Sequence, residues 1–103
     1  MSAFVLHPEA YADLDEIWEY IADDNLDAAD RVLEEIFRTI RVLVAFPHQG
    51  HKRPDLTSRP LLFHSIRDYV VAYTPDEKPL MVIAVLHGRR NPRVIAAILQ
   101  GRD

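Results

Sequence analysis

One continuous apolar run near the C-terminal end constrains the fold of this chain more than any other feature. Residues 80–91 read LMVIAVLHGRRN, so the run ends in His87, Gly88 and a pair of arginines. An apolar run of this length, bounded by Pro79 and Gly88, predicts a strand that is buried on both faces. Such a strand lies in the interior of a sheet, and its polar end is expected to reach solvent as a candidate working surface.

Length and composition predict a single domain over residues 1–103. The chain has 103 residues, of which 49% are hydrophobic, and it has no cysteine. That content supports one substantial core, and it excludes a disulfide framework and thiolate chemistry. No apolar run has the length of a membrane-spanning helix, and residues 1–8 lack the pattern of a signal peptide. The sequence therefore predicts a soluble, cytoplasmic protein.

Charge is divided unevenly along the chain. Residues 1–46 hold 11 acidic residues and 3 lysines or arginines, whereas residues 47–103 hold 5 acidic and 9 basic ones. The balance is thus −8 in the first part and +4 in the second, which predicts one acidic and one basic face. The net charge of −4 argues against a protein that coats nucleic acid, so direct nucleic-acid binding by this chain alone is not expected.

Two helices are predicted in the N-terminal part. Apolar side chains recur at helical spacing from Pro8 to about Ala22, and again in a broad stripe that ends near Phe46. Either Asn25 or Asp27 can cap the second helix. Because the link between the helices is so short, they are expected to form an antiparallel hairpin.

Strand-like runs account for much of the remainder, over residues 3–6, 61–66, 69–74 and 80–87. Short turns join the last three, which predicts an antiparallel meander, and the first run is expected at the sheet edge. Residues 92–100 predict a short final helix. The predicted fold class is therefore α+β: an N-terminal strand, an antiparallel two-helix hairpin packed on an antiparallel β-meander sheet, and a short C-terminal helix.

A set of short motifs, taken in order, resembles a known family. The motifs are His7-Pro8-Glu9-Ala10, Asp13-Leu14, Tyr20-Ile21, Ala28-Ala29, Phe46-Pro47-His48-Gln49-Gly50, Arg53-Pro54-Asp55-Leu56, Tyr69-Val70-Val71-Ala72-Tyr73 and Ile83-Ala84-Val85-Leu86-His87. Over nearly the whole chain this pattern resembles the RelE/ParE superfamily of toxins from bacterial type II toxin–antitoxin systems. The resemblance implies a small α+β toxin and a cognate antitoxin whose tail wraps the toxin in a hetero-oligomer.

The superfamily has two functional branches. RelE-like members cut messenger RNA in the ribosome, whereas ParE-like members inhibit DNA gyrase without an established hydrolytic site. In RelE-like nucleases the middle strand commonly reads Tyr-Arg-x-x-Tyr, and a further arginine and tyrosine lie near the C-terminus. Here the arginine position is Val70, and no tyrosine follows Tyr73. The resemblance therefore favours the ParE-like branch.

The expected function is that of a ParE-like toxin that inhibits DNA gyrase by protein binding, is not an enzyme and is neutralised by its antitoxin. One alternative is a RelE-like ribosome-dependent mRNA endoribonuclease. Another is a toxin-fold interaction module that is no longer toxic and survives as a partner of the antitoxin.

Cationic residues after the apolar run are the candidate site. The expected target-binding residues are His87, Arg89, Arg90 and Arg93. In the nuclease alternative, His87, Arg89 and Arg90 act with Arg53, because RNA cleavage needs a base and cations around the phosphate. Ordinary solvated charges are the alternative interpretation of the arginines, and His87 can instead cap a backbone group.

Other side chains point to packing rather than to chemistry. Arg59 is expected to hold its loop by reaching helix carboxylates. His48 and His51 lack further ligands at metal-binding spacing, and the chain has no glycine-rich phosphate loop, so neither a metal nor a cofactor is expected. Core or partly buried positions are expected for four of the aromatic residues, namely Trp18, Tyr20, Tyr69 and Tyr73. Exposed apolar surface on the hairpin or beside the sheet is expected to bind the antitoxin.

Overall fold

A computed structural model of the chain describes residues 3–103. The strands are β1 (Phe4–Leu6), β2 (Leu62–Ile66), β3 (Tyr69–Thr74) and β4 (Leu80–His87), and the helices are α1 (Pro8–Ala22), α2 (Leu26–Ala45) and α3 (Pro92–Gln100). These elements confirm the predicted α+β fold class, with its N-terminal strand, helical hairpin and short final helix.

The sheet has the strand order β1-β4-β3-β2. Strands β2, β3 and β4 pair antiparallel, and β1 pairs parallel with β4. The apolar run of β4 therefore lies between two neighbouring strands, as its composition predicts, and β1 forms an edge. The β4 side chains are mostly buried on both faces of the sheet. The sequence of β4 is therefore apolar almost throughout and does not alternate between apolar and polar residues.

Two cores lie on opposite faces of the sheet. The α1–α2 hairpin covers one face, where Leu14 and Ile40 pack with Val71 and Val85. Helix α3 covers the other face, where it forms a second core. That core includes Val70, Phe63, Ile83, Leu86, Ile95 and Leu99. The chain that follows β4 therefore lies on the face of the sheet opposite the α1–α2 hairpin.

A bulge in β4 changes which face its side chains occupy. The register moves from Ala72 opposite Ala84 to Tyr73 opposite Val82, which leaves Ile83 as the extra residue. Ile83 and Ala84 consequently both belong to the core under α3, although they are adjacent in the sequence. Such a bulge bends the strand and redirects the side chains that follow it.

Side-chain caps fix the starts of the helices. The Asn25 side chain accepts a hydrogen bond from the Ala28 amide at 3.0 Å, so Asn25 and not Asp27 caps α2. The Nδ1 atom of His7 accepts a hydrogen bond from the Glu9 amide at 3.0 Å at the start of α1. Among residues 3–103, no helix combines the length and the apolar character needed to cross a membrane.

Candidate functional site

The predicted site begins where β4 ends at His87. This residue stands opposite Tyr69 of β3, and the two rings meet edge to face with centroids 5.5 Å apart. The His87 Nδ1 atom accepts a hydrogen bond from the Arg89 amide at 3.2 Å, and its carbonyl oxygen accepts one from the Arg90 amide at 3.2 Å. His87 therefore organises the turn after β4.

The three arginines of the predicted surface lie on that turn and at the start of α3. Arg89, Arg90 and Arg93 are all exposed. Arg89 lies 3.7 Å from the Asp68 carboxylate, but both side chains are so accessible that the pair contributes little to stability. Together with His87, these arginines form one short segment, which we call the target-binding surface in keeping with the sequence prediction.

Arg53, which the nuclease alternative needs near His87, lies at the other end of the sheet. It lines a cleft together with Pro75 and Asp76, which follow the last residue of β3, whereas His87 stands opposite the first. The length of β3 separates these ends by ~17 Å. Arg53 instead forms a two-pronged ion pair with Asp55, at 2.9 and 2.7 Å, and this pair lowers the pKa of Asp55.

A groove lies beside the target-binding surface, between α1 and the end of β4. Glu16, Ile17 and Tyr20 line its α1 side, and Tyr69, His87 and Arg90 line the other. The Tyr20 side chain is 79% exposed, so the expectation that it packs in or near the core is wrong. Burial, followed by the charge of Asp68, raises the pKa of Tyr69. We call this feature the β4 groove.

A buried ion pair borders the β4 groove, and sequence reasoning missed it. The Asp13 carboxylate accepts hydrogen bonds from the Arg102 guanidinium at 2.5 and 2.8 Å. Each residue is only 7% exposed. The bond to Asp13 raises the pKa of Arg102. A signal was present: Asp13 lies three residues after Ala10 and four before Ile17, so helical spacing places it on the buried stripe of α1.

Arg59 has the structural role that was expected but with other partners. Its guanidinium donates hydrogen bonds to the carbonyl oxygens of Leu99 at 3.0 Å and Arg102 at 2.5 Å. The expected bond to helix carboxylates is therefore wrong. The reason is geometric, because the loop that carries Arg59 lies on the α3 side of the sheet, away from the acidic hairpin. Arg59 fixes the C-terminal end of α3.

Val70 occupies the position where the nuclease branch commonly has an arginine. It is 7% exposed and belongs to the same core as Ile95 and Leu99 of α3. Helix α3 thus covers this position, and a substrate has no direct access to it. Among the residues that the structure describes, no group of three or more His, Cys, Asp or Glu side chains is placed to hold a metal ion.

The chain matches known proteins in family and in fold. The family model for the ParE toxin of type II toxin–antitoxin systems, parDE, matches residues 4–92. A solved chain from the chromosomal ParDE toxin–antitoxin system of P. aeruginosa is similar, with a TM-score of 0.67 and 19% identity; the match covers 84% of this chain and 96% of that one. At 19% identity, the similarity between these two chains shows a shared fold. No curated protein gives a significant match.

Proposed function

This chain belongs to the ParE toxin family of type II toxin–antitoxin systems, and from that premise we propose that it inhibits DNA gyrase by binding to it in the cytoplasm. The inhibition needs no hydrolytic chemistry. A cognate antitoxin binds the toxin and neutralises it. The acting unit is the domain formed by residues 1–103.

The observation that carries a binding mechanism is the burial of Val70 under α3. RNA cleavage needs cations around the reacting phosphate and groups that accept and donate protons. At this position the chain has the apolar side chain of Val70, which α3 covers. Arg53 lies far from His87. The arginines that remain near His87 are exposed, so a protein surface can reach them.

The target-binding surface suits an acidic partner. Arg89, Arg90 and Arg93 are exposed on a short turn whose backbone is held in place. The Gly88 amide donates to the Asp68 carbonyl at 2.7 Å, and the Asn91 side chain caps α3 by accepting from the Arg93 amide at 2.9 Å. A fixed backbone reduces the ordering cost when the arginines bind. Opposite charges across an interface also speed encounter and select the partner.

The test is inhibition of DNA supercoiling by purified gyrase. Wild-type protein is expected to inhibit it, and charge reversal in Arg90→Glu or Arg93→Glu is expected to weaken inhibition at least about tenfold. Arg41→Glu is the matched control, because Arg41 is an exposed arginine on α2, away from this surface. It makes the same charge change and is expected to inhibit like wild type.

Two results would contradict the proposal. One is codon-dependent cleavage of messenger RNA in translating ribosomes, which would place the chain in the nuclease branch. The other is folded wild-type protein that neither binds gyrase nor arrests growth, which would indicate a non-toxic interaction module. Equal loss in Arg41→Glu and Arg90→Glu would show that net charge matters and the target-binding surface does not.

A further inference from the structure

Strand β1 leaves one edge of the sheet without a partner strand. It lies first in the order β1-β4-β3-β2, so only its inner side is paired, with β4. Its residues Phe4, Val5 and Leu6 are apolar, and each is only partly buried. Apart from its shortness, β1 has none of the usual protections of an edge strand, which are charged side chains, prolines and bulges. This edge is therefore open to a further strand.

The free backbone groups of β1 alternate along the strand. The His7 amide donates to the Val82 carbonyl at 2.8 Å, so it points toward β4. Because backbone groups alternate sides along a strand, Val5 also faces β4, whereas Phe4 and Leu6 direct both amide and carbonyl outward. In the part of the chain that the structure describes, these outward groups have no hydrogen-bond partner. Two outward residues with an inward residue between them form a complete site for an antiparallel strand.

A second copy of β1 satisfies this site by symmetry. When two β1 strands run antiparallel with Val5 opposite Val5, Phe4 of each copy stands opposite Leu6 of the other. Each such pair exchanges two backbone hydrogen bonds. A two-fold axis perpendicular to the sheet relates the strands, so the same surface patch serves both copies. The pairing joins two four-stranded sheets into one continuous sheet.

Helix α2 extends the same surface above β1. The Phe37 ring lies beside the Phe4 ring, with centroids 6.3 Å apart. Phe37 and Leu33 also line an open depression on α2, and both side chains are only partly buried. The two-fold axis passes near Phe37, because Phe4 is the neighbour of Val5. Two copies of α2 therefore meet antiparallel across this axis, with apolar side chains at the centre.

The charges on this face of α2 are self-complementary. Asp30 and Glu34 precede Phe37, Arg41 follows it, and all three charged residues are exposed and line the depression. Among residues 3–103, neither Glu34 nor Arg41 has an ion-pair partner. In an antiparallel pair of helices, residues before the centre of one copy face residues after the centre of the other. Arg41 of each copy thus faces Asp30 and Glu34 of the other, and opposite charges select this partner.

We propose that two copies of this chain associate through β1 and α2, with the β1 strands paired antiparallel about Val5. The inference concerns the chain alone and does not depend on the proposed function. The pairing of β1 with β4 ends beside Val82, so the end of β4 at His87 lies outside the interface and the target-binding surface stays open. One short strand and one helix face make a small interface, so a micromolar dissociation constant is expected.

The first test is a disulfide crosslink. The chain has no cysteine, so a single introduced cysteine gives an unambiguous result. In the proposed register the two Val5 Cα atoms lie ~4.5 Å apart, which is within the range that a disulfide spans. Val5→Cys is expected to form a covalent dimer under mild oxidation, seen on a non-reducing gel. Ser65→Cys is the control, because Ser65 is exposed on β2 at the other edge of the sheet, and it is expected to stay monomeric.

The second test is a charge swap, followed by analytical ultracentrifugation. Arg41→Glu and Glu34→Arg each place like charges across the axis and are expected to weaken association at least about tenfold. The double variant restores opposite charges and is expected to associate at least about fivefold more tightly than either single variant. Arg93→Glu is the control, because it makes the same charge change on α3, on the other face of the sheet, and it is expected to associate like wild type.

Several results would overturn the proposal. Equal crosslinking of Val5→Cys and Ser65→Cys, or none at Val5→Cys, rejects the strand register. A double variant no tighter than the single variants rejects the contact between the α2 helices. Wild type that stays monomeric up to about 1 mM rejects the dimer. A Leu6 amide whose exchange slows only when the antitoxin is added assigns this edge to the antitoxin and rejects the second copy.

Failure of this inference is distinguishable from failure of the proposed function. Arg41→Glu is expected to lose self-association and to inhibit gyrase like wild type, whereas Arg93→Glu is expected to do the reverse. If wild type forms the dimer but does not inhibit gyrase, the gyrase target alone is wrong. If wild type inhibits gyrase as a monomer at every concentration, the dimer alone is wrong.

Discussion

Asp13 and Arg102 lie 89 residues apart in the sequence, and their side chains together close the backbone of β4 where β1 stops. The carboxylate accepts from the Val85 amide, and the guanidinium donates to the Ile83 carbonyl. The pair thus satisfies two backbone groups as well as its own charges. It also joins α1, which lies in the hairpin on one face of the sheet, to the residues that follow α3, which covers the other face.

Removal of one partner of this pair is expected to be costly. Arg102→Met leaves the Asp13 carboxylate buried without its cation, and such a change costs about 3–5 kcal/mol. The double variant Asp13→Leu with Arg102→Met removes both charges, so its loss should be smaller than the sum of the two single losses. It should remain less stable than wild type, because the Ile83 and Val85 backbone groups still lack partners.

Urea unfolding at neutral pH measures both effects. Asp103→Asn is the control, since Asp103 is exposed beside Arg102 and is expected to change stability by less than about 0.5 kcal/mol. Additive losses in the double variant would show that Asp13 and Arg102 are not energetically coupled.

Arg59 is expected to hold the end of α3 rather than the whole fold. Arg59→Met removes the two bonds to the carbonyls of Leu99 and Arg102. We expect amide exchange in the last turn of α3 to accelerate, with a global loss of about 1–3 kcal/mol. Arg93→Met, at the exposed start of the same helix, is the control. Unchanged exchange near Leu99 in Arg59→Met would argue against this role.

Tyr73 ties the loop after α2 to the sheet. Its hydroxyl donates to the Pro47 carbonyl at 2.7 Å and accepts from the Gly50 amide at 3.0 Å. Tyr73→Phe leaves both groups unpaired and is expected to cost about 1–3 kcal/mol. Chemical denaturation gives this value, and Tyr11→Phe, on an exposed tyrosine, is the control. A loss equal to that of the control would contradict the anchoring role.

Tyr73 also makes stability sensitive to alkaline pH. Burial raises the pKa of Tyr73 above its usual 10.0, although the bond from Gly50 opposes the shift. The folded state therefore holds this proton more tightly than the unfolded state. Its contribution is complete below pH 10.0 and is lost as the pH rises through the folded pKa. The denaturant midpoints of wild type and Tyr73→Phe should therefore converge once the pH exceeds the pKa of Tyr73 in the folded state.

Gly50 is expected to tolerate no larger side chain. An added Cβ atom would lie 2.7 Å from the Tyr73 hydroxyl and 2.9 Å from the Phe63 carbonyl oxygen. Gly50→Ala should therefore destabilise the protein by about 1–3 kcal/mol. In Gly101→Ala the nearest atom is 3.6 Å away, so this control should unfold at the wild-type denaturant concentration. Equal stability of both variants would show that the loop moves freely to make room.

The pair of Glu35 and Arg67 predicts an acid-sensitive contribution. The bond from Arg67 lowers the pKa of Glu35 below its usual 4.5. Protons therefore bind this carboxylate less readily in the folded state, so its contribution is present above pH 4.5 and is lost as the pH falls through the lower folded pKa. Melting temperatures of wild type and Glu35→Gln should differ at neutral pH and converge in acid.

Glu34→Gln is the control for that comparison, because Glu34 is an exposed neighbour on α2. Its difference from wild type should be small and should not follow the same acid dependence. Parallel pH profiles of wild type and Glu35→Gln would contradict the contribution of the Arg67 pair.

Local chemistry made much of the fold predictable. The continuous apolar run of β4 predicts an interior strand. Asn25 caps the start of α2, and Pro47 follows its C-terminal end. The target-binding surface was predictable as a segment, because His87, Arg89 and Arg90 are neighbours in the chain. Their role in binding remains a prediction, since adjacency in sequence gives position and not partner.

The sequence by itself determined which segments form helices and strands, since apolar periodicity and caps act over a few residues. Only the tertiary structure decided that Asp13 meets Arg102, that Arg59 reaches the end of α3, and that Tyr20 is exposed in the β4 groove. These relationships depend on where β1 stops and on the bulge at Ile83. Both features set the direction of the β4 backbone groups, which then meet segments far away in the sequence. Such long-range geometry has no local signal.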